Sequence, residues 1–227
     1  MKSNFNTIAF VARESLKASG IAITLGQIHQ LLAASLGYNS LAALQSSGEE
    51  KPGLTGADYV ILDVEGITNR AASLGYGEVS AEVIDAIVAA IKGDPQPPMI
   101  FLNTQDFIDD VACQFANDNA FDNGAVSSAA AETNAYFEGT YIESTEDPEA
   151  LKDSRECWEI PVGGNVGMNQ DLDKPFSGDN ILVSGVVRIW KAGRVCLMGD
   201  MKLDIGASID DSYYEFDNEP DERPAAA

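Results

Sequence analysis

The segment from Gly93 to Leu151 contains twelve carboxylates and neither lysine nor arginine, and this restricts the chain more than any other feature. No cation within the segment can neutralise these charges, so they must meet distant cations, dissolved salt or a basic partner. An unpaired carboxylate is costly to bury. We therefore expect these side chains to lie on the surface. The twelve residues are Asp94, Asp106, Asp109, Asp110, Asp118, Asp122, Glu132, Glu138, Glu143, Glu146, Asp147 and Glu149.

The total charge of −22 comes from particular regions of the chain. Residues 1–50 sum to zero, whereas residues 101–150 sum to −11 and residues 201–227 to −6. Hydrophobic residues make up 45% of the sequence and recur with regular spacing, which is typical of a packed protein. The charge disfavours a broad face for nucleic acid or for anionic membranes, and it permits a basic protein, a polyamine or a metal. The alternative is that it serves solubility alone.

Three features indicate a cytoplasmic protein without a membrane segment. Cys113, Cys157 and Cys196 lie far apart and form no C-x-x-C pair, which favours reduced thiols over a disulfide framework. The first ten residues lack the cationic start and long apolar run of a signal peptide. No apolar stretch reaches the length of about 18 residues that a membrane span needs.

Helical spacing of apolar residues predicts three helices at the start of the chain. They cover residues 4–19, residues 25–36 after the capping residue Thr24, and residues Leu41–Gln45. Glycines that follow the first two helices favour termination there. A run rich in serine and glycine then predicts a linker.

The middle of the chain alternates between strand and helix patterns. The predicted elements are a strand at Tyr59–Val64, a helix at Ile67–Leu74, a helix capped by Ser80, a strand at Met99–Leu102, a helix capped by Thr104, a loop at 117–124, a helix at Ala125–Phe137 and a strand beginning at Thr140–Glu143. The helix after Thr104 is expected to bury Phe107, Val111 and Phe115.

The last third predicts antiparallel strands. Ile181–Trp190 and Val195–Leu203 flank a short glycine-containing loop, which favours a β-hairpin. Trp158–Val162 and Ser212–Phe216 are expected to add strands to the same sheet. The fold class is therefore α+β. The predicted division is a helical module at 1–46, a linker at 47–57, an α+β domain at 58–216 and a flexible tail at 217–227.

The sequence shows no recognisable catalytic constellation. His29 is the only histidine, and its place beside apolar residues of a helix indicates packing. Gly163, Gly164 and Gly167 do not match a phosphate-binding motif and are expected to form a hairpin connection. Acidic pairs such as Asp171 and Asp173 lack EF-hand order. We predict no catalytic residue, no metal site and no cofactor.

The stretch Ile23–Gln45 contains a helix cap, an apolar helix ending in Leu36-Gly37-Tyr38, and a short helix with Leu41 and Leu44. This pattern resembles a small helical module near the N-terminus of bacterial and plasmid-encoded proteins labelled glyoxalase superfamily-related. The resemblance implies a bacterial, mobile-element accessory protein. Glyoxalase activity does not carry over, because that site needs histidine and glutamate ligands and this chain has one histidine.

The leading hypothesis is a non-enzymatic protein whose anionic face binds a basic protein surface, without contacting nucleic acid or membrane. In its sharpest form it mimics the charge of nucleic acid and blocks a nucleic-acid-handling protein, as antirestriction and anti-defence factors do. Acids and tyrosines near the C-terminus would add aromatic anchors within an anionic rim. The predicted partner-binding residues are Asp106, Asp109, Asp110, Asp118, Asp122, Asp210, Asp211, Tyr213 and Tyr214.

Two alternatives remain open at the level of sequence. The first is an enzyme that uses carboxylates, with or without Mg²⁺. The second is a self-assembling structural protein, a homo-oligomer whose C-terminal strands pair between chains.

Overall fold

The computed structural model describes residues 5–46, 54, 56–133, 135–169 and 180–210. Within these residues the protein is α+β, as the sequence predicted. The helices are α1 (Phe5–Ala18), α2 (Leu25–Ser35), α3 (Leu41–Ser46), α4 (Val64–Ser73), α5 (Ser80–Lys92), α6 (Thr104–Phe107), α7 (Gln114–Asn119) and α8 (Gly124–Glu132). The strands are β1 (Tyr59–Ile61), β2 (Met99–Phe101), β3 (Tyr136–Ser144), β4 (Cys157–Asn169), β5 (Asn180–Lys191) and β6 (Cys196–Ile209).

The N-terminal helices begin and end within one residue of the predicted positions. Gln27 N–H donates to Thr24 Oγ1 (3.3 Å) and Thr24 N–H donates to Gln27 Oε1 (2.9 Å), which forms a capping box at the start of α2. Gly20 follows α1 with a φ of +84°, a conformation that favours glycine. Helix α1 packs on α5, and α2 packs on α4.

Two predicted caps are wrong. Helix α5 has Val79 at its N-cap without a side-chain hydrogen bond, because a 3₁₀ turn at Gly77–Val79 leads directly into the helix and makes Ser80 its first residue. Helix α6 is capped by Asn103, whose Oδ1 accepts from Gln105 N–H (2.8 Å), and Thr104 is again the first helical residue. The predicted strand at Tyr59–Val64 ends at Ile61, since Asp63 caps α4 by accepting from Gly66 N–H (2.8 Å).

A π-helical segment, Ile108–Cys113, joins α6 to α7 and changes which side chains are buried. Phe107 is buried as predicted, but Val111 and Phe115 are half-buried, and Ala112 and Ala116 are buried instead. The wider π turn inserts one residue into the helical repeat, so the buried stripe moves one position along the chain. The predicted loop at 117–124 is also corrected, because α7 continues to Asn119.

The six strands form one sheet in the order β2-β1-β6-β5-β4-β3. Strands β1 and β2 are parallel, with Tyr59 opposite Met99, and they are connected through α4 and α5. Strand β1 pairs antiparallel with β6, and β3 pairs antiparallel with β4. The predicted C-terminal hairpin is confirmed as β5 and β6.

Strands β3 and β4 correct two predictions. The helix expected at Ala125–Phe137 ends at Glu132, and Tyr136 and Phe137 belong to β3, where aromatic residues are favoured. The glycines at 163, 164 and 167 lie inside β4 and not in a hairpin connection. A Cβ atom at Gly164 would lie 2.0 Å from the carbonyl oxygen of Tyr141, so this close approach of the two strands requires glycine.

The chain divides into two compact units. Unit 1 comprises residues 1–112, 147–160 and 187–202, and unit 2 comprises residues 113–146, 161–186 and 203–227. The predicted division at residues 46, 57 and 216 stays a prediction, as does independent folding of residues 1–46. The predicted strand Ser212–Phe216, the tail at 217–227 and most of the linker at 47–57 lie outside the described residues.

Candidate functional site

The predicted aspartates of the middle segment are exposed. Asp106, Asp109 and Asp110 belong to unit 1, and Asp118 and Asp122 belong to unit 2. Asp109 Oδ1 accepts from Gln105 Nε2 (2.8 Å) and Asp118 Oδ1 accepts from Gln114 Nε2 (2.7 Å), so two of them meet neutral amides. No ion pair within the described residues involves any of the five. Their charge is therefore not neutralised by lysine or arginine there.

Of the other predicted partner-binding residues, the structure describes Asp210. Asp210 follows β6, is half-buried, and donates its N–H to the carbonyl oxygen of Asn180 (3.0 Å). Asp211, Tyr213 and Tyr214 lie outside the described residues.

Unit 2 carries most of the net charge. Its ranges contain 17 acidic residues, and its cations are Lys174 and Arg223, which gives −15 of the total −22. Both cations fall outside the described residues. Within the described part of unit 2 there are eight carboxylates and neither lysine nor arginine. A positive potential on a partner would therefore be attracted to this unit in particular.

The outer face of β3 presents tyrosines between glutamates. In β4 the even-numbered residues Trp158, Ile160, Val162, Val166 and Met168 are buried, so the odd-numbered residues lie on the opposite, outer face. Residues directly opposite in an antiparallel pair share a face, and Tyr136, Tyr141 and Glu143 are opposite Asn169, Asn165 and Gly163. Tyr136 is 63% exposed and Tyr141 is 61% exposed.

Glycines form the floor beneath Tyr141. Gly139 and Gly167 are opposite each other in the ladder. A Cβ at Gly139 would lie 3.4 Å from Tyr141 Oη, and a Cβ at Gly167 would lie 3.6 Å from Tyr141 Cε2 and 3.8 Å from Glu138 Cβ. The tyrosine ring therefore lies along the strands beside Glu138. We name Tyr136, Glu138, Tyr141 and Glu143 the tyrosine face.

The free edge of β3 is closed at Ile142 by Asn117 of α7. Ile142 N–H donates to Asn117 Oδ1 (2.8 Å), and Asn117 Nδ2 donates to the carbonyl oxygen of Ile142 (2.9 Å). Thr140 Oγ1 donates to the carbonyl oxygen of Asn117 (2.8 Å). A second strand could not pair at Ile142 without displacing this amide, so the accessible surface here is the face and not the edge.

Sequence reasoning missed these residues for local reasons. The local pattern predicts a loop at Asn117 and a helix at Tyr136. The run from Tyr136 to Ser144 contains aromatic and β-branched residues around one glycine, and this composition could have indicated a strand. The hydrogen bonds between Asn117 and Ile142 have no local sequence signal, because the two residues are far apart in the chain.

The histidine contacts a phenylalanine ring, and the three cysteines lie outside disulfides. His29 is half-buried and its ring stacks on Phe5, with centroids 5.4 Å apart. Its Nε2 atom is buried and has no hydrogen-bond partner among the described residues. The three cysteines are all described and none forms a disulfide. Across the described ranges, no group of three or more histidine, cysteine or acidic side chains is arranged to hold a metal ion.

Comparison with known proteins gives no further constraint. No protein-family model, no curated protein and no solved structure matches this chain. The resemblance of Ile23–Gln45 to the glyoxalase-related module therefore stays a prediction. Among the helices that the structure describes, none is long and apolar enough to cross a membrane.

Proposed function

We propose that this protein binds a basic protein partner through the tyrosine face of unit 2. The observation that carries the proposal is a pair of exposed tyrosines, flanked by Glu138 and Glu143, on a unit whose described residues include no cation. Exposed tyrosine faces attract guanidinium groups through cation–π contact, and neighbouring carboxylates add charge-assisted hydrogen bonds. An arginine-rich segment has both complementary features.

The proposed site keeps two of the predicted aspartates and adds the tyrosine face. Asp118 and Asp122 remain as carboxylates that attract the partner over a distance and raise the association rate. Asp106, Asp109 and Asp110 belong to unit 1, and their role in partner binding stays a prediction. In its sharpest form the protein is a mobile-element accessory factor that occupies the nucleic-acid-binding surface of a cytoplasmic enzyme. The charge of unit 2 and three cysteines outside disulfides support this form.

The test uses fluorescein-labelled deca-arginine and deca-lysine in place of the partner, with binding measured by fluorescence anisotropy. Deca-arginine should bind more tightly, because guanidinium stacks on aromatic rings better than ammonium. The double variant Tyr136→Leu, Tyr141→Leu should weaken the binding of deca-arginine by about 5- to 30-fold, at roughly 0.5–1 kcal/mol per exposed cation–π contact. Deca-lysine binding should change much less.

A matched pair of variants separates the tyrosine face from general charge attraction. Glu138→Gln, Glu143→Gln and Asp118→Asn, Asp122→Asn each remove two charges from exposed positions of unit 2. The first pair should weaken deca-arginine more than the second. Equal losses of affinity for the two variants would mean that net charge alone explains the binding. A larger loss with Asp106→Asn, Asp109→Asn, which also removes two charges, would instead favour the residues predicted in unit 1.

Two separate experiments test the enzyme alternative and the self-assembly alternative. A melting temperature raised by Mg²⁺, Mn²⁺ or Ca²⁺ would support an ion-dependent enzyme. A solution mass above 24.2 kDa, measured by light scattering, would support assembly. Assembly through β3 would require Asn117 to leave Ile142.

A further inference from the structure

Unit 1 contains a cleft of about 690 Å³ at the carboxyl ends of β1 and β2. Because these strands are parallel, the turns that follow them, Leu62–Asp63 and Leu102–Asn103, lie at the same edge and both line the cleft. Leu62 N–H donates to the carbonyl oxygen of Phe101 (2.9 Å) and joins the two turns. In sheets with parallel strands, ligands bind in the crevice outside the carboxyl ends.

The opposite wall of the cleft is the segment Asp147–Lys152, and the hydrogen bonds that hold it are specific. Trp158 Nε1 donates to the carbonyl oxygen of Glu149 (2.7 Å). Lys191 Nζ donates to the carbonyl oxygens of Leu151 (2.5 Å) and Ser154 (2.7 Å). The wall is therefore fixed before any ligand arrives, which lowers the entropy lost on binding.

The lining combines an apolar floor with an anionic rim. The floor is formed by the edges of Ile61, Ile108, Leu151, Trp158 and Val195, which are all at least nine-tenths buried. Leu102, which also lines the cleft, is 48% exposed and offers the larger apolar surface. The charged residues of the lining are Asp63, Glu65, Asp147, Glu149 and Lys152, a net charge of −3. The volume lies within the range of about 300–1,000 Å³ that small-molecule pockets occupy.

We propose that this cleft binds an organic cation, specifically a primary amine joined to an aromatic or branched aliphatic group. The apolar part would pack on Leu102 above this floor, and the ammonium group would lie at the rim. Gly66 N–H already donates to Asp63 Oδ1, which leaves Asp63 Oδ2 and the carboxylates of Glu65, Asp147 and Glu149 as acceptors. An anion of the same shape would be repelled by the rim. This site is separate from the tyrosine face and does not depend on it.

Isothermal titration of the full chain with three molecules of similar shape tests the proposal. The probes are 2-phenylethylamine, 2-phenylethanol and 3-phenylpropionate. The amine alone should give saturable binding with one site per chain. The double variant Glu65→Gln, Glu149→Gln should weaken the amine roughly three- to tenfold, as expected for partly exposed charge pairs.

The control variant is Glu82→Gln, Asp85→Asn, which removes two exposed charges from α5, outside the cleft lining. It should leave amine binding within a factor of two of the unchanged protein by the same principle. The proposal is overturned if the amine does not saturate at millimolar concentration, if the alcohol or the acid binds as tightly, or if the control weakens binding as much as the rim variant. Circular dichroism of each variant establishes that it is folded.

Discussion

At the scale of single residues, Asn117 connects a helix to the edge of a sheet. Its side-chain amide donates to and accepts from the backbone of one residue, Ile142, and so replaces the hydrogen bonds that a neighbouring strand would form. A typical hydrogen bond of this kind contributes about 0.5–1.5 kcal/mol to stability. An edge that is closed in this way is also protected from pairing with another chain.

Replacement of this amide should therefore destabilise the protein. We expect Asn117→Ala to lower the free energy of unfolding by about 1–3 kcal/mol, from the loss of two hydrogen bonds to Ile142. Urea unfolding followed by circular dichroism measures the change. Asn119→Ala is the control, because exposed Asn119 donates only to Phe115 in its own helix (2.8 Å), and it should cost less than about 0.5 kcal/mol. Similar losses for the two variants would contradict the role given to Asn117.

At the scale of elements, the β3–β4 pair depends on small residues. A Cβ atom at Gly164 would lie 2.0 Å from the carbonyl oxygen of Tyr141. Because this oxygen belongs to the backbone, it cannot move aside as the end of a flexible side chain could. The same strands contain the glycine floor beneath Tyr141. The glycines of these strands therefore allow both the pairing of the strands and the position of the Tyr141 ring in the tyrosine face.

Substitution at Gly164 should separate these strands. We predict that Gly164→Ala lowers the free energy of unfolding by about 2–4 kcal/mol, as steric overlap with backbone typically does. Gly206→Ala in β6 is the control, since its nearest heavy atom would be 3.9 Å from the new methyl group. The midpoint of urea unfolding should fall clearly for the first variant and little for the second. A stable Gly164→Ala protein would show that the two strands are not paired as described.

At the scale of the whole molecule, net charge is distributed unequally. Unit 2 carries −15 and unit 1 carries −7 by sequence. Repulsion among like charges opposes a compact state, and dissolved salt screens it over a distance of about 10 Å at 0.1 M. The electrostatic part of the stability should therefore improve as salt is added.

A salt titration at constant pH tests this expectation. Between low and moderate sodium chloride we expect a gain of about 1–2 kcal/mol, which corresponds to a rise in Tm of about 2–8 °C for a chain of this size. Differential scanning calorimetry measures it. The control is glycerol at the same concentration as the sodium chloride, added while the ionic strength is kept low. Glycerol does not screen charge, so it should not reproduce the gain if screening is the cause. A Tm that falls with sodium chloride would mean that attractive ion pairs dominate.

Much of the local structure could be predicted from the sequence. The capping box at Thr24, the glycine after α1 and the hairpin of β5 and β6 depend on contacts between residues that are close in the chain, so their patterns are visible in a short window. The exposure of Asp106, Asp109 and Asp110 followed from the absence of cations nearby. By contrast, the start of β3 was assigned to a helix, because the alanine-rich residues before it have strong helix propensity.

The sequence alone determined the fold class, the N-terminal helices, the hairpin and the anionic character of the chain, because composition and short-range periodicity fix these properties. Tertiary structure decided the rest. Asp58 N–H donates to the carbonyl oxygen of Leu197, far along the chain, and this places the parallel strands β1 and β2 beside β6. The tyrosine face, the closed edge at Ile142 and the cleft beyond β1 also require segments that are distant in sequence. Such pairings are selected by the packing of the complete chain, so no local pattern specifies them.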